Sequence, residues 1–323
     1  MNKIIKIGLI LPFITLIGLI SISYTFYGEL FLSFLPYAVG IYLVYMITFT
    51  VLLVASGADI KRANTYWVNW FLVFMIFLGI FSFYFDLGVS AADENSKSLK
   101  VISANIWYKN VNTDEMRNFL ENENADIIML TEFTNDHYIA LKDYFDINYK
   151  YQSLRIDDLS FPYTGKVVFS RYPLTNYSEG KNKFDELFLR SSVEVDGKDL
   201  NLVMVHTTAP VNVSYYNSRN AQLEYLKTDV ITETSQNTLL TGDFNVSPWS
   251  PRFLEVNRYL NNLSMDRVHT NEFDYTWEYQ GNDFFKSHID HTYTSEGITT
   301  TSYEYKDFPG SDHKAQVFTL AFE

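Results

Sequence analysis

Asp243 and Asn245 stand two residues apart in "LLTGDFNVSPWS" (239–250), where an apolar run ends. Side chains alternate along a strand, so positions i and i+2 share a face. The carboxylate and the carboxamide therefore point together, with Phe244 packed behind. Taken alone, Asp-x-Asn at a strand end is more often a turn, because short polar side chains bond nearby backbone. The same event recurs along the chain. Asn105 follows "LKVISA", Glu132 follows "DIIML" and Thr131, and His206 follows "LNLVMV" to open "HTTAP". Asp290 lies in "SHIDHTYTS", and Asp312 and His313 stand in "GSDHKAQVF". A single Glu132 is more often a surface acid, and a single His206 a satisfied strand-end histidine. Polar residues at so many strand termini form one set, since sites in layered folds collect at one edge of a sheet. Carboxylate and amide oxygens suit a hard divalent cation. Imidazoles beside carboxylates suit proton transfer. His288 and His291, three apart, resemble half a zinc site but lack a third ligand nearby.

These residues need strands to carry them. "LKVISANIWY", "DIIMLTEF" and "GKVVFSRYPL" read as strands from their Val and Ile content. The unbroken apolar run of the second implies burial on both faces. "NTDEMRNFLENENA" reads as a helix with Thr113 as N-cap and Asp114 and Glu115 in its first turn. "RSSVEVDGKDLNLVMVHTTAP" reads as a hairpin turning at "DGKD". "SRNAQLEYLKTDVITET" is helical, "NTLLTGDFNVSP" returns to strand, and "SDHKAQVFTLAFE" ends the chain as a strand. Strands alternate with helices early and crowd together late, which predicts an α/β sandwich with mixed sheets.

The first ninety residues differ in kind. "IGLILPFITLIGLISIS" (7–23), "FLSFLPYAVGIYLVYMITFTVLLVASG" (31–57) and "YWVNWFLVFMIFLGIFSFYF" (66–85) are three apolar runs. Each is near the roughly 20 residues that a helix needs to cross a bilayer. Lys3 and Lys6 precede the first, and Lys61 and Arg62 lie between the second and third. The turn between the first two holds Glu29 and no basic residue. The positive-inside rule then puts the N-terminus in the cytoplasm and everything after residue 90 outside. The expected organisation is a three-helix anchor over 1–90, a short polar tether over 91–98 and a catalytic domain over 99–323.

Composition narrows the chemistry. With no cysteine, the 323-residue chain has no disulfide, no Cys-zinc site and no thiol nucleophile. Residues 1–90 hold four basic and three acidic residues. The remainder holds 21 basic and 35 acidic ones. So acidic a domain disfavours a generic nucleic-acid backbone partner, which needs clustered Lys and Arg. A bound divalent cation reverses that field locally.

The ordered set Asn105, Glu132, "HTTAP", "GDFN", "ID" and "SDH" resembles the endonuclease/exonuclease/phosphatase superfamily with the deoxyribonuclease-I-like fold. The resemblance extends over residues 99–323. "VVFSRYPL" (167–174) and Arg219 with Gln222 before "GDFN" belong to it as well. It implies a four-layer sandwich of two mixed β-sheets flanked by helices, here preceded by three transmembrane helices. It implies Mg2+ or Mn2+ with Glu132 as principal ligand, and Asn105 and Asp312 completing the shell. Asp243 would orient or deprotonate the attacking water, and Asn245 would bond a phosphate oxygen. His313, oriented by Asp290, would act as general base or phosphate contact. His206 would stabilise developing charge or protonate the leaving oxygen. Asn105 and His206 would also touch substrate. Some relatives pair the "HTTAP"-type histidine with an upstream acid; Asp157 and Asp158 lie in that region and no motif selects one. His291 stands where relatives often carry an aromatic residue or Arg.

Three readings follow. The first is a multi-pass membrane protein with an extracytoplasmic, metal-dependent phosphoesterase domain, acting on phosphate mono- or diesters, lipid-linked phosphates or phospholipids among them. The second is a metal-dependent endo- or exonuclease acting on DNA or RNA. The third is a non-catalytic binding protein on the same fold, which a missing catalytic residue would indicate; none is missing. No feature points to a protein partner.

Overall fold

In the computed structural model, residues 18, 21–55, 98–153, 165–178, 188–232, 236–268, 274–279, 281 and 285–322 are described. They fall into two compact units. One comprises Met1–Asp86 with Pro248–Pro251; the other comprises Leu87–Ser247 and Arg252–Glu323.

In the first unit, helix α1 (Phe26–Leu32) starts at Thr25, whose hydroxyl accepts a hydrogen bond from the Gly28 amide. Helix α2 (Leu35–Ala55) is 21 residues long and carries no charged side chain. Counted over the described residues alone, no helix is long and apolar enough to cross a membrane. Most of the first apolar run, all of the third and the tether up to residue 97 lie outside the described residues.

In the second unit, β1 (Ser98–Asn105) leads to helix α3 (Thr113–Glu123), β2 (Ile127–Thr131), helix α4 (Asn135–Asn148), β3 (Tyr151–Gln152) and β4 (Lys166–Ser170). Next come β5 (Leu174–Ser178), β6 (Phe188–Val195), β7 (Lys198–His206) and helix α5 (Val213–Tyr225), which runs into a wider π turn over Leu226–Val230. Then follow β8 (Thr238–Asp243), helix α6 (Pro251–Asn262), β9 (Met265–Val268) and the short pair β10 (Trp277–Glu278) and β11 (Lys286–Ser287). The chain ends with β12 (Asp290–Ser295), β13 (Ile298–Asp307) and β14 (Lys314–Phe322).

Two six-stranded mixed sheets result, in the orders β13-β14-β1-β2-β4-β3 and β5-β6-β7-β8-β12-β9. Both pair their central strands parallel, β1 with β2 and β7 with β8, and surround them with antiparallel neighbours. Three apolar cores make this four layers. Met116, Leu120, Leu141 and Phe145 of α3 and α4 pack on Ile102, Ile128 and Phe169. Leu223, Phe253 and Leu260 of α5 and α6 pack on Val203, Val205 and Leu240. Between the sheets lie Val101, Met129, Val168, Leu202, Met204 and Leu239. The α/β class and the two mixed sheets are as the sequence predicts.

Local differences have local causes. Thr113 is the first helical residue of α3, and Asn112 takes the N-cap position without a side-chain cap bond. Helices α4 and α6 were not expected from periodicity. In α4, Thr134 and His137 form a reciprocal cap, in which the Thr134 hydroxyl accepts from the His137 amide and the His137 ring accepts from the Thr134 amide. Histidine plays the part usually given to Glu or Gln, which hides the start signal.

Candidate active site

Strand pairing gathers the polar strand ends at one edge. In the first sheet Asn105 is in register with Thr131, and Thr131 with Lys166. In the second, His206 is in register with Asp243, and Asp243 with Asp290. Alternation turns both rows inward. Asn105 has the parity of Val101, Thr131 that of Met129, Lys166 that of Val168, His206 that of Met204 and Asp243 that of Leu239, all residues of the inter-sheet core. Two facing polar rows thus close the catalytic end of an otherwise apolar interior.

Asn105 joins them. Its Nδ2 donates to Glu132 Oε1 at 3.0 Å and to Asp243 Oδ2 at 3.2 Å, while its Oδ1 accepts from the Trp107 amide at 3.0 Å. Glu132 follows β2 with φ +58°, a left-handed conformation that costs a glutamate of order 1 kcal/mol. That bend aims its carboxylate at the site, and the Tyr108 amide holds Oε2 at 2.9 Å. Asn245, at φ +49°, donates through its own amide to Asp243 Oδ1 at 2.8 Å and through Nδ2 to the Thr207 carbonyl at 2.9 Å. Arg219, fully buried, donates to the Asn245 carbonyl at 2.8 Å, and Gln222 accepts from the Thr208 amide at 2.7 Å. Those two helix residues therefore fix the two loops that follow β7 and β8.

His313 and Asp290 form a close pair, with Nδ1 donating to Oδ2 at 2.9 Å and Nε2 lying 3.8 Å from Asp243 Oδ2. Ser311 ties this segment to the first sheet, donating to the Asn105 carbonyl at 2.7 Å and accepting from the His313 amide at 3.0 Å. Burial opposes charge on His313, but Asp290 and Asp243 outweigh it and push its pKa up to about 10. Burial and the neighbouring Asp290 charge push Asp243 up to about 8. His206 lies 3.5 Å from Glu132 and 4.0 Å from Asp243, distances that suit ion pairs. Burial, with the positive charges of Lys166 and His313, nevertheless drives its pKa down to about 3. Desolvation governs here, so His206 is a neutral hydrogen-bonding group.

Asn105, Glu132, His206, Asp243, Asn245, Asp290 and His313 thus lie together at this edge. Asp312 makes its own bonds: its Oδ2 accepts from the Trp277 indole at 3.0 Å and its backbone carbonyl from the Glu278 amide at 2.9 Å. Its charge still acts on His313. Among the described residues, the one set of three or more His and acidic groups whose ligand atoms lie within 4.8 Å of one another is Asp243, Asp290 and His313. The carboxylates of Glu132 and Asp243 converge on a single amide nitrogen, and these hard oxygen donors fit a divalent cation. Asn105 presents nitrogen to them, so its amide would have to turn to offer oxygen.

His288 and His291 stack at 5.0 Å, and the His291 ring packs on Phe253 and Phe244 while Nε2 contacts the Val246 carbonyl at 2.8 Å. They belong to the packing behind the site, not to half a zinc centre. Asp157 and Asp158 lie outside the described residues. Sequence reasoning missed the Tyr108 amide, which has no side-chain signal. It also missed Ser311, which stands in the quoted "GSDH".

The chain belongs to the Endonuclease/Exonuclease/phosphatase family, which it matches over residues 102–313, more than half its length. It is a metal-dependent hydrolase acting on ester bonds. Its fold is similar to an endonuclease/exonuclease/phosphatase from Beutenbergia cavernae DSM 12333, at 16% identity and TM-score 0.53 over 70% of this chain and 72% of that one. It is similar to truncated Caenorhabditis elegans TDP2, at 17% and 0.52 over 69% and 98%. It is also similar to a beta toxin mutant from Staphylococcus aureus with bound magnesium ions, at 17% and 0.50 over 70% and 100%. No curated protein sequence matches the chain.

Proposed function

We propose that this hydrolase is a membrane-anchored phosphoesterase, dependent on Mg2+ or Mn2+, whose catalytic domain works at the outer face of the cytoplasmic membrane. Phosphate mono- or diesters, lipid-linked phosphates and phospholipids are its substrate classes. The observation that carries the phosphoesterase reading is the convergence of Glu132 and Asp243 on Asn105 beside the His313–Asp290 pair. Support for the anchor comes from the three apolar runs before residue 90.

Glu132 and Asp243 would hold the divalent cation, which supplies charge neutralisation on phosphoryl oxygens. Asp243 carries out water orientation from its place between Asn105 and the Asn245 amide. A nearby cation lowers its raised pKa, since an adjacent positive charge favours the carboxylate. His313 is protonated at neutral pH and therefore serves as a phosphate contact through Nε2. Neutral His206 presents its ring to the developing oxyanion, where fixed donors are most effective.

The test is a panel assay of the full-length protein with Mg2+ and with Mn2+, comparing plasmid DNA, phospholipid vesicles and polyprenyl pyrophosphate. Hydrolysis of the lipid substrates above DNA is the expected result. Preferential DNA cleavage would establish the nuclease reading instead, and no hydrolysis of any ester would leave the binding-protein reading. Protease accessibility of residues 99–323 in intact cells reports the orientation; protection there overturns the extracytoplasmic placement.

A further inference from the structure

Both members of the His313–Asp290 pair are tied to one short strand. β10 has a partner on each side. On one side Trp277 stands opposite Ser287 and Glu278 opposite Lys286. On the other, Trp277 bridges to His313, the Glu278 amide donates to the Asp312 carbonyl at 2.9 Å, and the Lys314 amide donates to the Thr276 carbonyl at 2.7 Å. Thr276, fully buried, accepts at its hydroxyl from the Ile289 and Asp290 amides at 2.9 and 3.0 Å. Two consecutive residues, Thr276 and Trp277, therefore reach both Asp290 and His313.

The Trp277 side chain adds a bond of another kind. Its indole Nε1 donates to Asp312 Oδ2 at 3.0 Å, and among the described residues no other hydrogen bond reaches that carboxylate. Trp277 is half-buried and belongs to none of the three apolar cores. Strand pairing uses only its backbone, which any strand-forming residue supplies. What tryptophan adds at this position is the indole N–H. That bond gives Asp312 two attachments to β10, its carbonyl through the Glu278 amide and its carboxylate through the indole. One attachment leaves a residue free to turn about it. Two fix its roll, and the peptide that leads into His313 is fixed with it. Errors of about an ångström in a group that meets substrate cost rate steeply.

We propose that Trp277 is a positioning residue, which holds the Asp312 carboxylate through its indole N–H and thereby sets the direction of the His313 ring. The inference rests on the phosphoesterase reading, with His313 as phosphate contact, for its effect on rate; the effect on the His313–Asp290 bond is independent of that reading. The carboxylate acceptor makes the indole bond charge-assisted. Asn at position 312 keeps an oxygen for the indole, whereas Leu keeps the volume and offers no acceptor.

Two measurements on full-length protein test it. The first needs no turnover. The Nδ1 proton that His313 shares with Asp290 is followed by proton NMR in EDTA, and its loss in Asp290→Asn assigns it. Its exchange with solvent is expected to be about tenfold faster in Trp277→Phe and in Asp312→Leu, as loss of one charge-assisted hydrogen bond implies. In Asp312→Asn it stays close to wild type. The double variant Trp277→Phe/Asp312→Leu exchanges no faster than either single one, because both remove the same bond. The second measurement is hydrolysis of bis(p-nitrophenyl) phosphate with Mg2+. In the same two variants kcat falls about tenfold with KM nearly unchanged, and Asp312→Asn retains most of the rate. Leu120→Ala, in the core under α3, lowers Tm and moves neither reading, which separates positioning from general loss of stability. Wild-type exchange in Trp277→Phe, or a double variant whose effects add, overturns the positioning role. Should Trp277→Phe fail to fold, Asp312→Leu set against Asp312→Asn decides. Faster exchange without hydrolysis of any ester overturns the phosphoesterase reading and leaves the positioning role standing. Hydrolysis with exchange and kcat unchanged in Trp277→Phe does the reverse.

Discussion

Asp243 is the residue on which the two sheets agree, since it touches Asn105 of the first and lies in register with both His206 and Asp290 of the second. Replacing it by Asn, or Glu132 by Gln, keeps volume and removes a negative oxygen from the place where cation and water are held. Each change is expected to lower kcat by about 10²–10³ with little effect on Tm. Steady-state rates beside thermal melts check this, and an active Asp243→Asn would remove it from the reaction. His313 owes its charge to Asp290 and Asp243. Since it acts protonated, activity is present below its pKa and lost as pH rises through it. Without Asp290 burial dominates, so Asp290→Asn brings the alkaline limb of the kcat/KM profile down from about 10 towards the ordinary histidine range. An unshifted alkaline limb would assign it to another group.

At the scale of elements, the site depends on how β8 and its neighbours are spaced. Gly242 has φ +137°, and a Cβ there would meet the Val205 carbonyl at 2.1 Å. The glycine lets β8 lie close to β7, immediately before Asp243. Gly242→Ala must strain φ and push the strands apart, with an expected loss of about 2–4 kcal/mol of stability and nearly all activity. Denaturant unfolding measures the first and the ester assay the second. A fully stable Gly242→Ala would show that the pair β7–β8 has slack. The sequence displayed the glycine in "GDFN" but not its contact, because Val205 is 37 positions away and only the parallel register brings it there.

For the molecule as a whole, proton and cation compete at one centre. Asp243 and His313 both have folded pKa values above their ordinary ones, so the folded protein holds extra protons. The stability they lend is complete below the unfolded pKa values. For Asp243 it is lost as pH rises from about 4 through about 8, and for His313 from about 6.5 through about 10. His206 acts oppositely, losing stability as pH falls from 6.5 towards about 3. In EDTA, Tm should therefore decline as pH rises from 6.5 to 9. Mg2+ requires the deprotonated Asp243, so the Tm gain on adding Mg2+ should grow over the same interval. Calorimetry at pH 6.5 and 8.5 with and without Mg2+ reads both effects; a gain independent of pH would mean that Asp243 does not meet the cation.

The sequence by itself determined the polar set, its strand ends and the mixed α/β class, because alternation and strand propensity are local and sit in the order of residues. Arg219 and Gln222 were legible as members of a resemblance, though not as props for particular loops. What only the tertiary structure decided was partnership. It set Asp312 on Trp277 and put Tyr108 on Glu132. It set Asp290 and Asp243 around His313 and buried His206, and it brought Thr131 into register with Asn105 and Lys166. Each of those outcomes depends on distance and burial between residues far apart in the chain, and no local pattern encodes either.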